Sequence, residues 1–396
     1  MAQIRQSPVR KAFLIDWPIT IVLSLLTIIS VVAIYAASPL MPGFDGTYDL
    51  VIKQMVWIGI ALTFLIFLLV YGVDVIFSAI DIAYWILMIL LVLLVLDHWI
   101  NLPLISPING TRAWITLPGM GTLQPSEFMK AVLMIKASLV ITKEHGKRGL
   151  PSYEQDFHIF YEVLKVSLLP LILIVLQPDT GIPLIIMVGL VTMLAVSGIQ
   201  KTWIQAGLIA TLLLIGLVLG LFFFAPDLLV SIVGKSYRLN RFYGWLQTES
   251  YIRSWGLQLY QSLLAVGSAG WFGHGLGSKV ITLIEPQNDF IFAVIGQNFG
   301  FVGTSITLLL HLSLDLLIVN LIVNNKDYKE RLMISGVLGM LVFQQVQNMG
   351  MIIGLLPITG ITLPFISSGG SSLLSFIPAL AVIFHISNTN QSARRH

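Results

Sequence analysis

The sequence predicts an all-α polytopic membrane protein of about ten transmembrane helices, with a long extracytoplasmic loop between the seventh and the eighth. Three observations predict it. Of 396 residues, 56% are hydrophobic and 10% charged, where a soluble domain carries about 25% charged residues. The apolar residues fall into long runs, each near the ~20 residues that a helix needs to cross a bilayer. Four polar cassettes interrupt these runs, and counting spans puts all four on one side of the membrane. They are Arg112 to Lys130, Gln177-Pro178-Asp179, Glu285 to Phe290, and Ser367-Ser368-Gly369-Gly370-Ser371.

The spans are read at 17–37, 52–73, 78–98, 125–143, 161–178, 180–199, 203–224, 290–322, 332–354 and 371–388. They form one membrane domain over 17–388, with cytoplasmic tails at 1–16 and 389–396. The first run is too long for a signal-peptide core and reads as an uncleaved span. The eighth is long enough to bend, and Gly296, Gly300 and Gly303 offer it places to do so. The loop at 225–289 is far longer than ordinary connections, which marks it as functional. Its apolar parts, Leu228 to Val233 and Leu257 to Val266, predict that it lies along the membrane or re-enters it.

Short loops rich in Lys and Arg stay inside. With the N-terminus inside, the inner segments hold Arg5, Arg10, Lys11, Lys143, Lys147, Arg148, Lys201, Lys326, Lys329, Arg331, Arg394 and Arg395. The short outer segments hold only Lys53 and Arg112. Both termini are therefore expected in the cytoplasm, and the cassettes outside. The net charge of +3 is spread along the membrane edges, which leaves no basic patch for a nucleic acid. Cysteine is absent, so disulfides and thiolate chemistry are excluded.

Asp289 closes the long loop and opens the eighth span. It suits a helix cap and, in a poorly solvated setting, a general base with a raised pKa; both readings stand. Glu127 and Lys130, three apart, share a helix face and can neutralise each other. Lys136, two turns deeper, shows no mate. Arg112 offers a planar fork for a phosphate. Asp179 has an adequate explanation in a tight turn. The glycine-rich run from Gly267 to Lys279 lacks a P-loop pattern, so it is either a flexible turn or an amide cradle for an anion. The Ser367 to Ser371 run likewise lets the chain turn sharply before the last span. The His residues show no ligand spacing, and His311 and His385 read as hydrogen-bonded core residues.

On these cassettes the chain resembles the SEDS family (shape, elongation, division and sporulation proteins of the RodA, FtsW and SpoVE types). Asn109-Gly110-Thr111-Arg112-Ala113-Trp114 is similar to its Gly-Ala-Arg/Lys-x-Trp element, and Gln124 to Lys130 to its Gln-Pro-Ser-Glu-x-x-Lys motif. Gln177 to Gly181, Gln261-Ser262 with Ala265 to Gly270, Pro286 to Ala293, and Asn348 through Ser371 match further motifs in order. Ile15-Asp16-Trp17 and the short tails are more RodA-like than FtsW-like. Gln297-Asn298 departs from the family pattern, which has one or two acids there.

The resemblance implies a peptidoglycan glycosyltransferase of the bacterial cytoplasmic membrane. It would polymerise lipid II into glycan strands at the outer face, in elongation and shape maintenance. Asp289 would be its catalytic acid or base. Arg112, Glu127, Lys130, Asp179, Arg241, Lys279 and Ser368 would bind substrate, Arg112 and Lys130 stabilising the departing pyrophosphate. No cofactor is required by the residues; a divalent cation (Mg or Mn) could share that task, but no ligand cluster in this sequence demands one. The partners it implies are lipid II, membrane lipids and a class B penicillin-binding protein. Intramembrane Lys136 and Glu127 fit a lipid II flippase as well, and a division-type polymerase is a further alternative. A pure scaffold would leave the charged residues unexplained.

Overall fold

Helices that cross hydrocarbon must hide their polar side chains against one another, and that requirement organises this chain. The computed structural model describes residues 15–41, 48–100, 105, 107, 111–117, 121–147, 152–233 and 237–394. Arg5, Arg10, Lys11, Arg148, Lys235, Arg395 and the Asn109-Gly110 pair lie outside them.

The described helices are α1 (Trp17–Ala37), α2 (Asp49–Tyr71), α3 (Asp74–Ser78), α4 (Ile80–Ile100), α5 (Pro125–Gly146), α6 (Tyr153–Leu176), α7 (Gly181–Val196), α8 (Lys201–Phe224), α9 (Pro226–Val233), α10 (Tyr237–Leu246), α11 (Leu257–Gly267), α12 (Ile291–Asn324), α13 (Tyr328–Ile352) and α14 (Gly370–Arg394). Ten of these coincide with the ten expected spans. Seven of the ten are long and apolar enough to cross a membrane by composition alone; α7 is apolar but has 16 residues. The two that remain, α5 and α13, carry the polar interior, and α14 is buried with them. Ser126, Glu127, Lys130 and Ser138 on α5 and Gln344, Gln345, Gln347 and Asn348 on α13 are all buried.

The centre packs α13 on α7, α12 and α5, and α14 on α5 and α2, while α1 lies along α12. Small residues let backbones approach where a dry interface offers no hydrophobic gain. A Cβ on Gly189 of α7 would stand 3.0 Å from the Gly336 carbonyl oxygen of α13, and 2.7 Å from Met340 Cγ. α1 is capped by Asp16, which accepts from the Ile19 amide at 3.2 Å and also takes the Ser387 hydroxyl of α14. At the opposite extreme, α8 buries only Phe222.

Two expectations change, those for Lys136 and His385, and the others gain detail. The 225–289 loop is built of short helices, α9 and α11 covering its two apolar stretches. The long eighth helix breaks at Gly300 (φ 62°, ψ −154°), one of the three glycines offered. Lys136 has a mate: its ammonium pairs with Asp81 and lies 4.5 Å from the Tyr84 ring. His311 is a core residue, its ring nitrogens facing the Thr307 and Pro364 carbonyls at 2.9 and 3.1 Å. His385, however, is part-exposed beside Glu330 at 3.8 Å, because α14 runs past the core to Arg394.

Candidate active site

Residues 356–371, between α13 and α14, hold the cassettes together. Their own shape comes from Ser367, whose hydroxyl accepts from the Leu363 amide at 2.8 Å. The same hydroxyl donates to the Asn288 carbonyl at 2.7 Å, and the Ser368 amide donates to the Gln287 carbonyl at 2.8 Å. The stretch is thus sewn to the residues just before Asp289. One turn of chain away, Ser371 Oγ accepts from the Gln124 amide at 3.0 Å, which fixes the start of α5.

Two hydrogen bonds from one side chain set the position of Asp289. Buried Asn348 of α13 donates to the Asp289 carbonyl at 2.8 Å and to the Ile361 carbonyl at 2.7 Å. A methyl group on Gly360 would stand 3.7 Å from Asp289 Oδ2, so the loop backbone passes directly beside the carboxylate. Capping does not explain this residue: Phe290 is the N-cap of α12, and no side chain bonds there. Burial pushes the Asp289 carboxyl up to about 7, Glu285 nearby adds to the rise, and Arg241 opposes it. Glu285 itself sits at φ 53° and accepts from Asn288 Nδ2 at 2.8 Å and Gln287 Nε2 at 3.1 Å. A left-handed backbone at a non-glycine residue is held only by such surrounding bonds.

A second group meets the same stretch near Ile361 and Ser371. Lys130 and Glu127 form a buried pair at 2.6 Å, and the Lys130 ammonium lies 4.4 Å from the Phe376 ring of α14. Neither Glu127 Oε2 nor Lys130 Nζ has a well-angled hydrogen bond, and Ser126 Oγ beside them is also unsatisfied. Asp179 Oδ1 accepts from the Gly181 and Ile182 amides at 3.0 and 3.2 Å, capping α7. Its Oδ2 takes the Gln124 amide group at 2.8 Å. Burial raises the Asp179 carboxyl to about 6, and the charge on Glu127 contributes. A Cβ on Gly181 would touch Ile361 Cγ1 at 3.3 Å, the neighbour of Gly360. The two carboxylate groups therefore adjoin one stretch of backbone.

The other site residues are placed less centrally. Arg112 is held by Asp97, Nη1 lying 2.9 Å from Oδ2 and 2.7 Å from the carbonyl, with the arginine side chain 30% exposed. A two-stranded ribbon, Ile115–Leu117 against Gly121–Leu123, joins it to Gln124. Arg241 of α10 donates to the Ile358 carbonyl at 3.2 Å and lines a recess of about 240 Å³ with Trp245, Trp255 and Ile284. Lys279 is exposed on the glycine-rich hairpin.

That hairpin is not an anion cradle. The Gly277 and Ser278 amides donate to Asn298 Oδ1 at 2.7 and 3.3 Å, the Gly275 amide to the Asn298 carbonyl, and the Ile281 amide to Gln297 Oε1 at 2.9 Å. Gln297 and Asn298, where the family pattern has acids, anchor a loop by amide chemistry. Among the described residues no three His, Cys, Asp or Glu side chains gather as a metal site.

Sequence reasoning missed Asp97, and it named Asn348 and Ser371 only within motifs, without their roles. Asp97 was hidden at the end of an apolar span, 15 residues before its arginine. The other two act across long sequence separations that no local pattern reports.

Comparison with known proteins places the whole arrangement. Residues 16–392 match the family model for FtsW, RodA and SpoVE, described as cell cycle proteins. Stage V sporulation protein E of Bacillus subtilis is 30% identical, over 94% of this chain and 96% of its own length. A probable peptidoglycan glycosyltransferase FtsW of Trichlorobacter lovleyi is 31% identical over 98% and 96%. Among solved structures, a chain of a peptidoglycan synthase complex superposes with TM-score 0.70 and 25% identity, covering 93% of this chain and 96% of that one. Thermus thermophilus RodA does so with TM-score 0.63, 24% identity, and coverage of 94% and 96%, and shares the fold. The chain belongs to the FtsW, RodA and SpoVE family of multi-pass membrane proteins.

Proposed function

We propose that this chain is a peptidoglycan glycosyltransferase that polymerises lipid II at the outer face of the cytoplasmic membrane, in elongation and shape maintenance. The observation that carries the reading is the 356–371 stretch, which adjoins Asp289 at Gly360, meets the turn that carries Asp179 at Ile361, and fixes through Ser371 the start of the helix that carries Glu127 and Lys130. A relative that the chain covers almost fully bears the name of this activity.

The chemistry follows from the residues. Asp289 takes the proton of the acceptor sugar's 4-hydroxyl, and a pKa near 7 suits a base working near neutrality. The freed oxygen bonds to the donor's anomeric carbon, whose bond to the lipid pyrophosphate breaks with inversion. The pyrophosphate leaves with both bonding electrons, so its charge needs cations. Lys130 and Arg112 supply them by exchanging partners: each already holds a carboxylate, Glu127 and Asp97, and an arriving pyrophosphate competes for it. Arg241, in the recess beside Ile358, is the third cation. Ser368 orders the loop through its backbone amide, which donates a hydrogen bond to the Gln287 carbonyl, and Lys279 extends the positive charge at the surface.

A class B penicillin-binding transpeptidase is the proposed partner, in keeping with the match to a synthase complex reported to coordinate polymerization and crosslinking. The charge asymmetry of the short loops supports a cytoplasmic location for both termini. Labelled lipid II tests the reading: glycan polymer is expected from the purified chain with its transpeptidase. Transbilayer movement of lipid II without polymer would overturn it in favour of a flippase.

A further inference from the structure

Apart from Lys279, the hairpin after α11 plays no part in the chemistry above, yet its backbone is bonded closely to α12. Its carbonyls and amides bond along α12: Gly270 oxygen accepts from Phe301 at 2.9 Å and Trp271 oxygen from Val302 at 3.1 Å. Gly273 sits at φ 77°, and a Cβ there would lie 2.3 Å from the Asn298 carbonyl carbon, so backbone meets backbone. Such a loop holds its side chains in fixed directions.

Those side chains are apolar and outward. Trp271, Phe272 and Leu276 are 67, 79 and 56% exposed. The Trp271 ring meets the Phe301 ring edge-on at 5.1 Å, and Phe301 is itself 58% exposed. Phe301 begins the exposed apolar side chains of α12 that continue through Ile306, Leu309 and Leu316, which in a spanning helix face lipid. The hairpin tip therefore extends a lipid boundary. Its height agrees: residues 301–324 of α12 run about 36 Å at 1.5 Å per residue, enough for a hydrocarbon core of about 30 Å. The Gly300 break, where the hairpin docks, then falls at the outer interface, the level that Trp and other aromatic side chains prefer.

We infer that the tip of this hairpin is an interfacial anchor, with Trp271, Phe272 and Leu276 seated in the outer leaflet against lipid. Because the hairpin is bonded to Gln297 and Asn298, about two turns along α12 from Phe290, the anchor also sets how far Asp289 stands above that leaflet. The anchoring is independent of the activity proposed above; its use in meeting a lipid-linked head group rests on that reading.

The chain has no cysteine, so single cysteines report cleanly. Phe272→Cys and Leu276→Cys, spin-labelled in the full chain in phosphatidylglycerol-containing liposomes, are compared with Leu309→Cys on the lipid face and Glu249→Cys in the aqueous loop. Accessibility is read with oxygen and with a water-soluble nickel chelate. Labels at 272 and 276 are expected to follow 309: open to oxygen, closed to nickel. Labels that follow 249, or that are closed to both reagents because protein covers them, would overturn the anchor. The readout needs no turnover, so an inactive enzyme and an unanchored hairpin are distinguishable.

Discussion

Asp289 combines a cost with a use. A carboxyl whose pKa is higher in the folded chain than in the unfolded one binds its proton more tightly when folded, so ionising it destabilises the fold. That cost is absent below the ordinary value of 3.8 and complete above about 7. Asp289→Asn is therefore expected to unfold at a higher temperature than the wild type at pH 8, the gap closing toward pH 4 in detergent melts. The same shift gives the rate profile its sign. A base must be ionised, so kcat/KM is expected to rise as pH climbs through about 7 and then level off. Since Glu285 adds to the rise at Asp289, Glu285→Gln should move that acid limb to lower pH. Lys130 and Glu127 are a second test at this scale. Removing one member strands a buried charge, at a cost of about 3–5 kcal/mol. Lys130→Met is expected to lose stability, and Glu127→Gln with Lys130→Met to recover most of it while polymer formation stays low. Recovery of activity in the double variant would assign the pair a purely structural role.

Helices and turns were legible in unequal measure. The ten spans could be read because each is an apolar run of membrane length, and α5 and α13 could be read despite their polar faces because the runs around Lys130 and Gln344 are still mostly apolar. The bend in α12 was narrowed to three glycines; the choice of Gly300 depends on the hairpin passing beside it, since a Cβ there would lie 2.5 Å from the Gly273 nitrogen. Such a contact has no local signature. The Glu127 and Lys130 pair could be foreseen from spacing alone, whereas the roles of Asn348 and Ser371 depend on tertiary bonds. Gly300→Ala is expected to break the docking, lowering the melting temperature and exposing the hairpin amides to hydrogen exchange. Gly336→Val, at the α7 crossing, should cost about 1–3 kcal/mol by overpacking, as measured by thermal melts.

At the scale of the molecule, a polar interior made by α5, α12, α13 and α14 supports the one stretch of chain that adjoins the site residues, and α8 buries only Phe222. Fold class, span number and the convergence of the cassettes followed from the order of apolar and polar runs. The opposite edge is fastened separately: Lys136 holds Asp81, and Lys329 lies 4.0 Å from Asp74 and 4.4 Å from the Phe77 ring, so α3 and the start of α4 are tied to α5 and α13. Substitutions at that edge, such as Asp74→Asn, are expected to leave the acid limb of the rate profile unchanged. The most direct measurement is polymerisation of labelled lipid II by the purified protein with its transpeptidase, wild type beside Asp289→Asn. The account predicts glycan strands from the wild type and a rate lower by about 10²–10⁴-fold in the variant, with both proteins equally folded. Near-normal polymer from Asp289→Asn would contradict it.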